Sequence, residues 1–433
     1  MMEECDGITR GTASIVAGGK IAARRVSVAG MGGALVGFGL ILLVGINLRT
    51  SLLAVPPLLA SIQAALGLSY TATGALSALP TLVMGLGAWP AGRIGARIGG
   101  RAAVSWGLAL LAAAAVARGL LPGVITMYLF TATLSLGVAL AQTSIPMLAR
   151  QWFPERIGVV SALFTDGLTI GETVAASFTA PLMRAWFGVN AWPAALLMWA
   201  APTTLTVLLW LWLAPPAPGA APAIDIASAV GIASDAGAES ESAEPRVGPW
   251  LIGATLGSGS LIFFGMNNWI APYNQALHAA SMTPIALFAL NAAQLPIAIG
   301  LTPLMGRLAR KRWPLMVAGV VAACAVAGWL LTAPTLQPLW GALIGASSAA
   351  AFTFSIGMPA FYERGVNVAR LAGASLTVSY TAAFVGPFIG GALWDIFQQP
   401  SLALAPVGAA ALALIALPPF LPPMPTSAKE PGS

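Results

Sequence analysis

Long apolar runs dominate the sequence and restrict the folds that are open to it. Twelve such runs, each long enough for the ~20 residues that cross a bilayer as an α-helix, alternate with charged or turn-forming stretches. Only 8% of the residues are charged, 58% are hydrophobic and the mean hydropathy is +0.85. Soluble domains carry roughly a quarter charged residues. The sequence therefore predicts an all-α integral membrane protein.

The runs form two sets of six, on either side of a segment rich in Pro, Ala, Gly and Ser. The predicted crossings are Met31–Ile62, Thr71–Pro90, Ala102–Leu120, Val124–Leu148, Ile157–Met183, Trp192–Leu213, Trp250–Tyr273, Pro284–Met305, Trp313–Thr332, Leu339–Phe361, Ala369–Trp394 and Leu402–Leu421. The predicted domains are a tail over residues 1–28, a bundle over 29–213, a linker over 214–248, a second bundle over 249–421 and a tail over 422–433. The linker contains too few apolar groups to order itself.

Basic residues predict the orientation in the membrane. They occupy alternate gaps between the runs, as Arg24/Arg25, Arg93/Arg97/Arg101, Arg150/Arg156, Arg307/Arg310/Lys311/Arg312 and Arg364/Arg370. The positive-inside rule assigns these gaps to the cytosol, and an even number of crossings places both termini there. We expect a monomer in the plasma (inner) membrane. Since topology explains the net charge of +6, no nucleic-acid partner is expected.

Proline and glycine positions repeat between the two sets. Equivalent places are held by Pro57 and Pro272, 215 positions apart, by Gly92 and Gly306, 214 apart, and by Pro146 and Pro359, 213 apart. Parallel repeats of this kind are related by an axis along the membrane normal and bind substrate between the halves near mid-bilayer. The pattern predicts two pseudo-symmetric six-helix bundles.

Arg49 interrupts the first run and is the main candidate for a ligand group. A charge at bilayer depth costs several kcal/mol unless it snorkels or faces the protein interior. If the crossing is Gly37–Ile62, Arg49 lies near mid-depth, and if it is Val26–Leu48, Arg49 is interfacial. The apolar run on both sides favours the buried position. A guanidinium is a planar fork of donors that suits carboxylate-like or linear anions.

Two acids, Asp166 and Glu172, lie in the fifth run. A helix places them about 9 Å apart along its axis and on different faces. A buried carboxylate without a cation tends to keep its proton, which makes both residues candidates for proton coupling. The alternative is a static pair in which one acid neutralises Arg49. Both alternatives stay open, and the greater depth of Glu172 favours a coupling role for that residue.

Amide and aromatic side chains recur on the runs that should meet between the halves. The candidates for a solute-binding cavity, besides Arg49, are Asn47, Gln142, Asn267, Asn268, Trp269, Asn291, Gln294 and Tyr380. Taken singly, each amide is better explained by hydrogen bonding between helices, whereas together these residues predict a polar cavity. Trp269 has a further alternative, an anchor at the membrane interface.

The stretch after the second run reads Gly92-Arg-Ile-Gly-Ala-Arg97-Ile-Gly99-Gly-Arg101. It resembles the signature loop of the major facilitator superfamily, G-x-L-A-D-R-x-G-R-[RK], through Gly92, Arg97, Gly99 and Arg101. The resemblance implies that family's fold of two six-helix bundles, and a loop that helps to hold the inward-closed arrangement. Ala96 replaces the usual acid, which implies that this loop stabilises the inward-closed arrangement less strongly.

A narrower resemblance covers most of the chain. Its motifs are Asn47-Leu-Arg49 with Pro57, Gly137-Val-Ala with Pro146, Phe153-Pro-Glu-Arg-Ile-Gly158, Trp269 with Pro272, Tyr380, Gly386-Pro387, Gly390 and Asp395. They are similar to those of the cyanate and 2-nitroimidazole permease family, with Gln142 where an asparagine is expected. The resemblance implies import or export of small anionic or planar molecules.

Other functional classes lack their residues. No G-x-x-x-x-G-K-[ST] motif for ATP is present, which excludes an ATP-driven pump. An intramembrane aspartyl protease needs two acids that face each other across helices, whereas Asp166 and Glu172 lie on one helix. The one histidine, His278, cannot build a metal site alone. We therefore expect no enzyme activity, cofactor or metal. The sequence predicts a secondary transporter that works by alternating access, with proton coupling left open. The alternatives are a broad-specificity drug or metabolite exporter and a membrane receptor without transport.

Overall fold

Twelve helical spans long and apolar enough to cross a membrane make up the computed structural model, which describes residues 30–153, 156–188, 190–215, 248–301, 304, 308, 310–362 and 366–422. Spans 1 to 6 are Gly33–Leu66, Tyr70–Ile98, Gly100–Leu120, Val124–Trp152, Val159–Trp186 and Trp192–Leu213. Spans 7 to 12 are Pro249–Ala276, Ala280–Leu301, Trp313–Leu331, Pro334–Ile356, Leu371–Phe397 and Pro400–Phe420. The prediction of an all-helical membrane protein with twelve crossings is confirmed.

Proline shapes span 1 differently from its counterpart, span 7. In span 1 the helix Gly30–Leu53 ends, a 3-10 turn covers Pro56–Leu58, and a second helix runs over Leu59–Leu66. Two consecutive prolines lack the amide hydrogens that would continue the helical ladder, so the first helix stops before them. Span 7 has Pro249 at its first position and only Pro272 in its interior, and it remains one helix, Pro249–Ala276.

Several other spans are composite or extend beyond their bounds. The helix of span 5 is Ile157–Trp186 and that of span 11 is Val366–Phe397. The remaining pieces are Ala280–Met282, Thr283–Ala292 and Gln294–Leu301 in span 8, Pro334–Leu336 and Gln337–Ile356 in span 10, the short helix Pro359–Tyr362, and Pro400–Leu404, Ala405–Ala416 and Pro418–Phe420 in span 12.

Two hydrophobic cores divide the molecule. One is built from residues of spans 1 to 6 and ends at Ala214, and the other from residues of spans 7 to 12, joined by Ala176 of span 5. The same pairing recurs in each half, since span 1 packs against span 5 and span 7 against span 11. The predicted pair of six-helix bundles is confirmed. Residues 216–247 of the predicted linker, and the tails 1–28 and 423–433, lie outside the described residues.

Spans 1 and 5 approach each other through glycine. A Cβ on Gly45 would lie 2.6 Å from the Phe164 carbonyl oxygen, and one on Gly167 would lie 2.6 Å from the Leu42 carbonyl oxygen. A Cβ on Gly171 would clash with the Ile46 backbone. Small residues let helix backbones touch in this way. The contact sets the register that brings the polar residues just beyond these glycines together.

The structure corrects the predicted loop over residues 92–101. Span 2 remains helical through Ile98, past Gly92 and Arg97, and span 3 begins at Gly100. Only Gly99 leaves the helices, with a φ of +88° that favours glycine. The charges in this stretch suggested a loop, but a helix can carry them into water beyond the membrane. We call the end of the bundle at Gly99 the inner end and the opposite end, with residues 67–69, the outer end.

Candidate functional site

Arg49 and Glu172 form an ion pair inside the first half. The Nε of Arg49 lies 3.3 Å from Oε1 of Glu172, and the two side chains are 12% and 9% exposed. Arg49 follows Gly45 by one helical turn, and Glu172 directly follows Gly171, so the close contact between spans 1 and 5 sets their separation. The Arg49 Nε makes no hydrogen bond of good geometry in the described part of the chain. The two charged groups are therefore in contact, but they do not form a bidentate, fully hydrogen-bonded pair.

The second half adds two neutral polar groups to this pair. Gln294 of span 8 lies beside the Glu172 carboxyl group, and its Nε2 donates to the Asn291 carbonyl at 3.4 Å. Tyr380 of span 11 is half-buried and lies within electrostatic range of both Arg49 and Glu172. We call Arg49, Glu172, Gln294 and Tyr380 the central cluster. It spans the interface between the halves, with its charges on one side and its neutral donors on the other.

Gln294 directly follows a slight interruption in the helix of span 8. Span 8 is interrupted at Ala293, between the helices Thr283–Ala292 and Gln294–Leu301. Pro296 lacks the amide hydrogen that would bond the Ala292 carbonyl, which weakens the helical ladder at this point. Asn291, before the break, bonds within its own half, donating to Asn267 Oδ1 at 3.0 Å. The i, i+3 spacing of Asn291 and Gln294 therefore does not give the two amides a common partner.

Asn47 is separated from the central cluster. Its Nδ2 donates to the Leu43 carbonyl and to Thr206 Oγ1, both at 2.9 Å, and its Oδ1 accepts from Thr203 Oγ1 at 3.3 Å. These bonds use the amide to attach span 1 to span 6. Of the two alternatives for Asn47, packing against another helix is the one that the contacts support.

Three other predicted site residues are consecutive on span 7 of the second half. Asn267 donates to the Phe263 carbonyl at 3.1 Å and bonds Asn291, which makes it a link between spans 7 and 8. Asn268 is buried, and its Nδ2 has no hydrogen-bond partner among the described residues. Trp269 is 1% exposed, so it is not an anchor at the membrane surface.

The remaining polar candidates occupy different surroundings. Gln142 of span 4 is half-buried, and its Oε1 lacks a hydrogen-bond partner in the part of the chain that the structure describes. Asp166 is exposed on span 5. Of the two acids on that helix, Glu172 is the one that meets Arg49. Arg101 is half-buried at the start of span 3.

The sequence analysis overlooked Arg118 as a buried cation. It lies near the end of the predicted crossing Ala102–Leu120, and the structure places it in the last turn of span 3 with 2% exposure. Its Nη2 donates to the Ser51 carbonyl at 2.8 Å, just before the break in span 1. The carbonyls before a proline break lack their usual donors, so Arg118 stabilises this break. The criterion applied to Arg49, a cation within an apolar run, would have identified it.

Within the described residues, no three His, Cys, Asp or Glu side chains come together as a metal site. Cys324 is exposed on span 9, and Cys5 lies outside the described residues. The polar groups described in the interior are an ion pair, the Arg118 guanidinium, amides and hydroxyl groups.

Sequence comparison identifies the family. The model of the Major Facilitator Superfamily matches residues 40–391. The chain belongs to the major facilitator superfamily. It is 25% identical over 366 residues to the uncharacterized transporter YycB of Bacillus subtilis (strain 168), covering 82% of this chain and 85% of that one. The resemblance to a family of transport proteins is thus confirmed.

Two relatives from Escherichia coli (strain K12) have named substrates. The cyanate transport protein CynX is 23% identical over 360 residues, covering 82% of this chain and 89% of its own. The 2-nitroimidazole transporter is 26% identical over 385 residues, covering 87% of this chain and 92% of its own. Both relatives carry the substrate names of the permease family whose motifs the sequence resembles.

Solved structures confirm the fold. The D-xylose-proton symporter superposes with a TM-score of 0.68 at 13% identity, covering 89% of this chain and 98% of the other. At that identity the likeness concerns the fold alone. The family match and the twelve apolar spans identify the chain as an integral membrane protein of this transporter superfamily.

Proposed function

We propose that the protein is a secondary active transporter that carries a small anionic or planar solute through the central cluster by alternating access. The observation that carries this proposal is a buried arginine at the interface of the halves, paired with an acid from its own half. Gln294 and Tyr380 of the other half approach the same pair. The relatives named for cyanate and 2-nitroimidazole support a small, planar solute class.

Competition for Arg49 would couple a proton to an anionic solute. While Glu172 is ionised, it neutralises Arg49 and leaves little attraction for a second anion. A proton that binds to the Glu172 carboxylate removes that negative charge, and the solute anion then takes its place beside the guanidinium. The buried charge stays balanced at each stage, which avoids the large cost of an uncompensated ion. One proton and one monovalent anion would then cross together.

A neutral planar solute would use the other side of the cluster. The Gln294 amide offers both a donor and an acceptor, and the Tyr380 phenol offers a hydroxyl group beside an aromatic face. A flat heteroaromatic ring with polar substituents matches those groups. In this case Arg49 and Glu172 stay paired with each other, and their charges polarise the bound solute.

Transport into proteoliposomes tests this function. Vesicles with the purified protein, loaded at high internal pH, should accumulate labelled cyanate from an acidic medium above the level in protein-free vesicles. Unlabelled nitrate, small carboxylates and 2-nitroimidazole are added as competitors to define the solute class. The control Arg184→Gln alters an exposed cation of span 5 and should transport normally. Lack of binding and transport for every compound in this panel would overturn the proposed solute class.

The orientation is part of the same proposal. We propose that the protein lies in the plasma (inner) membrane as a monomer, with the inner end and both termini in the cytosol. The positive-inside rule supports this orientation through the basic residues near Gly99. A cysteine at His278, exposed in the turn after span 7, should react with a membrane-impermeant thiol reagent from outside. Cysteines at Ser234 and Ala309, outside the described residues, should react only from the cytosol. The reverse pattern would invert the topology.

A further inference from the structure

Asp395 links the two halves at the outer end. Its Oδ1 accepts a hydrogen bond from the Tyr70 amide at 2.9 Å, and its Oδ2 accepts from the Thr71 amide at 2.7 Å and the Thr71 hydroxyl at 2.5 Å. Asp395 belongs to span 11, whereas both donors start span 2. The first amides of a helix lack intrahelical partners and lie at the positive end of its dipole. A carboxylate from one half therefore caps a helix of the other.

An aromatic contact covers this cap. The Tyr70 ring stacks on Trp394, next to Asp395, with centroids 3.9 Å apart and planes 8° from parallel. The ring centroid of Trp394 in turn lies 5.6 Å from that of Trp269, and both tryptophans are buried. The rings keep water from part of the cap, which strengthens its charged hydrogen bonds. We call Tyr70, Thr71, Trp394 and Asp395 the outer contact.

Glycines allow the two backbones to meet beside the outer contact. A Cβ on Gly391 of span 11 would clash with the Tyr70 carbonyl, and one on Gly74 of span 2 would clash with the Pro387 carbonyl. Each glycine therefore faces the backbone of the opposite half. The fit is as close as between helices of one half, so the outer end is closed here.

Span 2 retains a cap of its own when the halves separate. Ser69 precedes the helix, and its side chain accepts a hydrogen bond from the Ala72 amide at 3.1 Å. This is an ordinary N-cap within one half. Asp395 is thus not needed to begin the helix. Its three hydrogen bonds instead exist only while spans 2 and 11 are together.

We propose that Asp395 holds the outer end closed and so sets the equilibrium between the outward-closed and outward-open states, without contacting the transported solute. Alternating access requires spans 2 and 11 to separate at this end, which breaks all three hydrogen bonds. Water then replaces Asp395 at the span 2 amides, while Ser69 keeps its bond. The proposal rests on alternating access in this superfamily and is independent of the solute.

Distances between spin labels across the outer end test this role. The labels occupy cysteines at Ala65 in the first half and Ser401 in the second, both exposed, with Cys5 and Cys324 replaced by serine. In lipid nanodiscs without solute, Asp395→Asn should raise the ratio of long to short distances about tenfold, the factor that corresponds to ~1.4 kcal/mol. Thr71→Val, which removes one of the three bonds, should raise it about threefold.

The matched control is Thr377→Val on span 11, whose exposed hydroxyl bonds only its own helix, at the Gly373 carbonyl. It should leave the distances as in the wild type. If Asp395→Asn does not fold, Thr71→Val still decides the question. Unchanged distances in the folded variants, even with a lower melting temperature, would overturn the proposal and make the contact a static one. Because no solute is present, failure here leaves the proposed solute site untouched.

Discussion

The two halves use the same pairing of helices for different chemistry. In the first half, span 1 carries Arg49 and packs on span 5, which carries Glu172. In the second half, span 7 packs on span 11 through neutral groups, including a 2.8 Å hydrogen bond between Ser260 and Ser379. Of the central cluster, the first half supplies the charges and the second half an amide and a phenol.

This asymmetry has a consequence for alternating access. Because Arg49 and Glu172 belong to one half, a movement of the halves against each other does not separate them. Separating a buried pair would leave two uncompensated charges, at a cost of several kcal/mol per ion. At the central cluster, the contact that such a movement would change is the one between Gln294 and Glu172. The first half thus keeps its charges balanced while the second half closes over them.

Removing the cation should have the largest effect. Arg49→Ala leaves Glu172 buried without a partner, which should lower stability by about 3–5 kcal/mol and abolish cyanate transport. Arg49→Lys keeps the charge but not the planar fork, so it should fold and still lose most of its affinity. Thermal unfolding and uptake into proteoliposomes measure the two effects. Wild-type affinity in Arg49→Lys would make Arg49 a structural residue only.

Removing the charge of the acid should separate binding from coupling. Glu172→Gln keeps the shape and a polar tip but cannot titrate. It should exchange labelled for unlabelled cyanate, yet fail to accumulate cyanate in response to a pH gradient. Asp166→Asn, an exposed position, serves as the matched carboxylate control and should show the smaller defect. Normal accumulation by Glu172→Gln would exclude this carboxylate as the coupling group.

A change in the second half should be milder, because it removes no charge. Gln294→Met keeps the length of the side chain but loses the polar amide beside Glu172. An affinity loss of about tenfold is expected, which corresponds to ~1.4 kcal/mol and lies at the upper end of the roughly 0.5–1.5 kcal/mol of one polar interaction. Concentration-dependent uptake measures it. A loss as complete as that of Arg49→Ala would contradict the division of chemistry between the halves.

The smallest effects are expected where amides only join helices. Asn47→Ala and Asn267→Ala each remove hydrogen bonds between helices of one half, which are worth about 0.6 kcal/mol on average inside membranes. Thermal unfolding should show this modest loss, while the cyanate concentration for half-maximal uptake stays unchanged. A large shift in that concentration for either variant would show that its amide contributes to solute binding.

Hydropathy was sufficient to predict the class of the protein and the number of its spans. The bilayer sets the length of an apolar helix and requires each backbone polar group to be bonded internally, so the signal is local and strong. It was weaker at span ends. Span 2 remains helical through Ile98, beyond the predicted Pro90, because hydropathy marks where a helix leaves the apolar layer and not where the helix ends.

The sequence by itself also determined which residues were candidates for the site. Arg49, Glu172, Gln294 and Tyr380 are polar groups in apolar runs, a rare and costly placement that draws attention to each of them. The same rule selected Asn47, although two residues of an α-helix turn it by about 200° relative to Arg49. Composition cannot distinguish a residue that faces a neighbouring helix from one that faces the other half.

Only the tertiary structure decided which partner each polar group has. The ion pair depends on the backbone contact between Gly45 and Gly167, and Gln294 meets it from span 8 of the other half. Asp395 meets Tyr70 across 325 positions of sequence. Such contacts depend on the packing of separate helices, whereas hydropathy and helical periodicity extend only along one helix. The sequence determined which groups enter the membrane, and the packing of helices within and between the halves decided which of these groups meet.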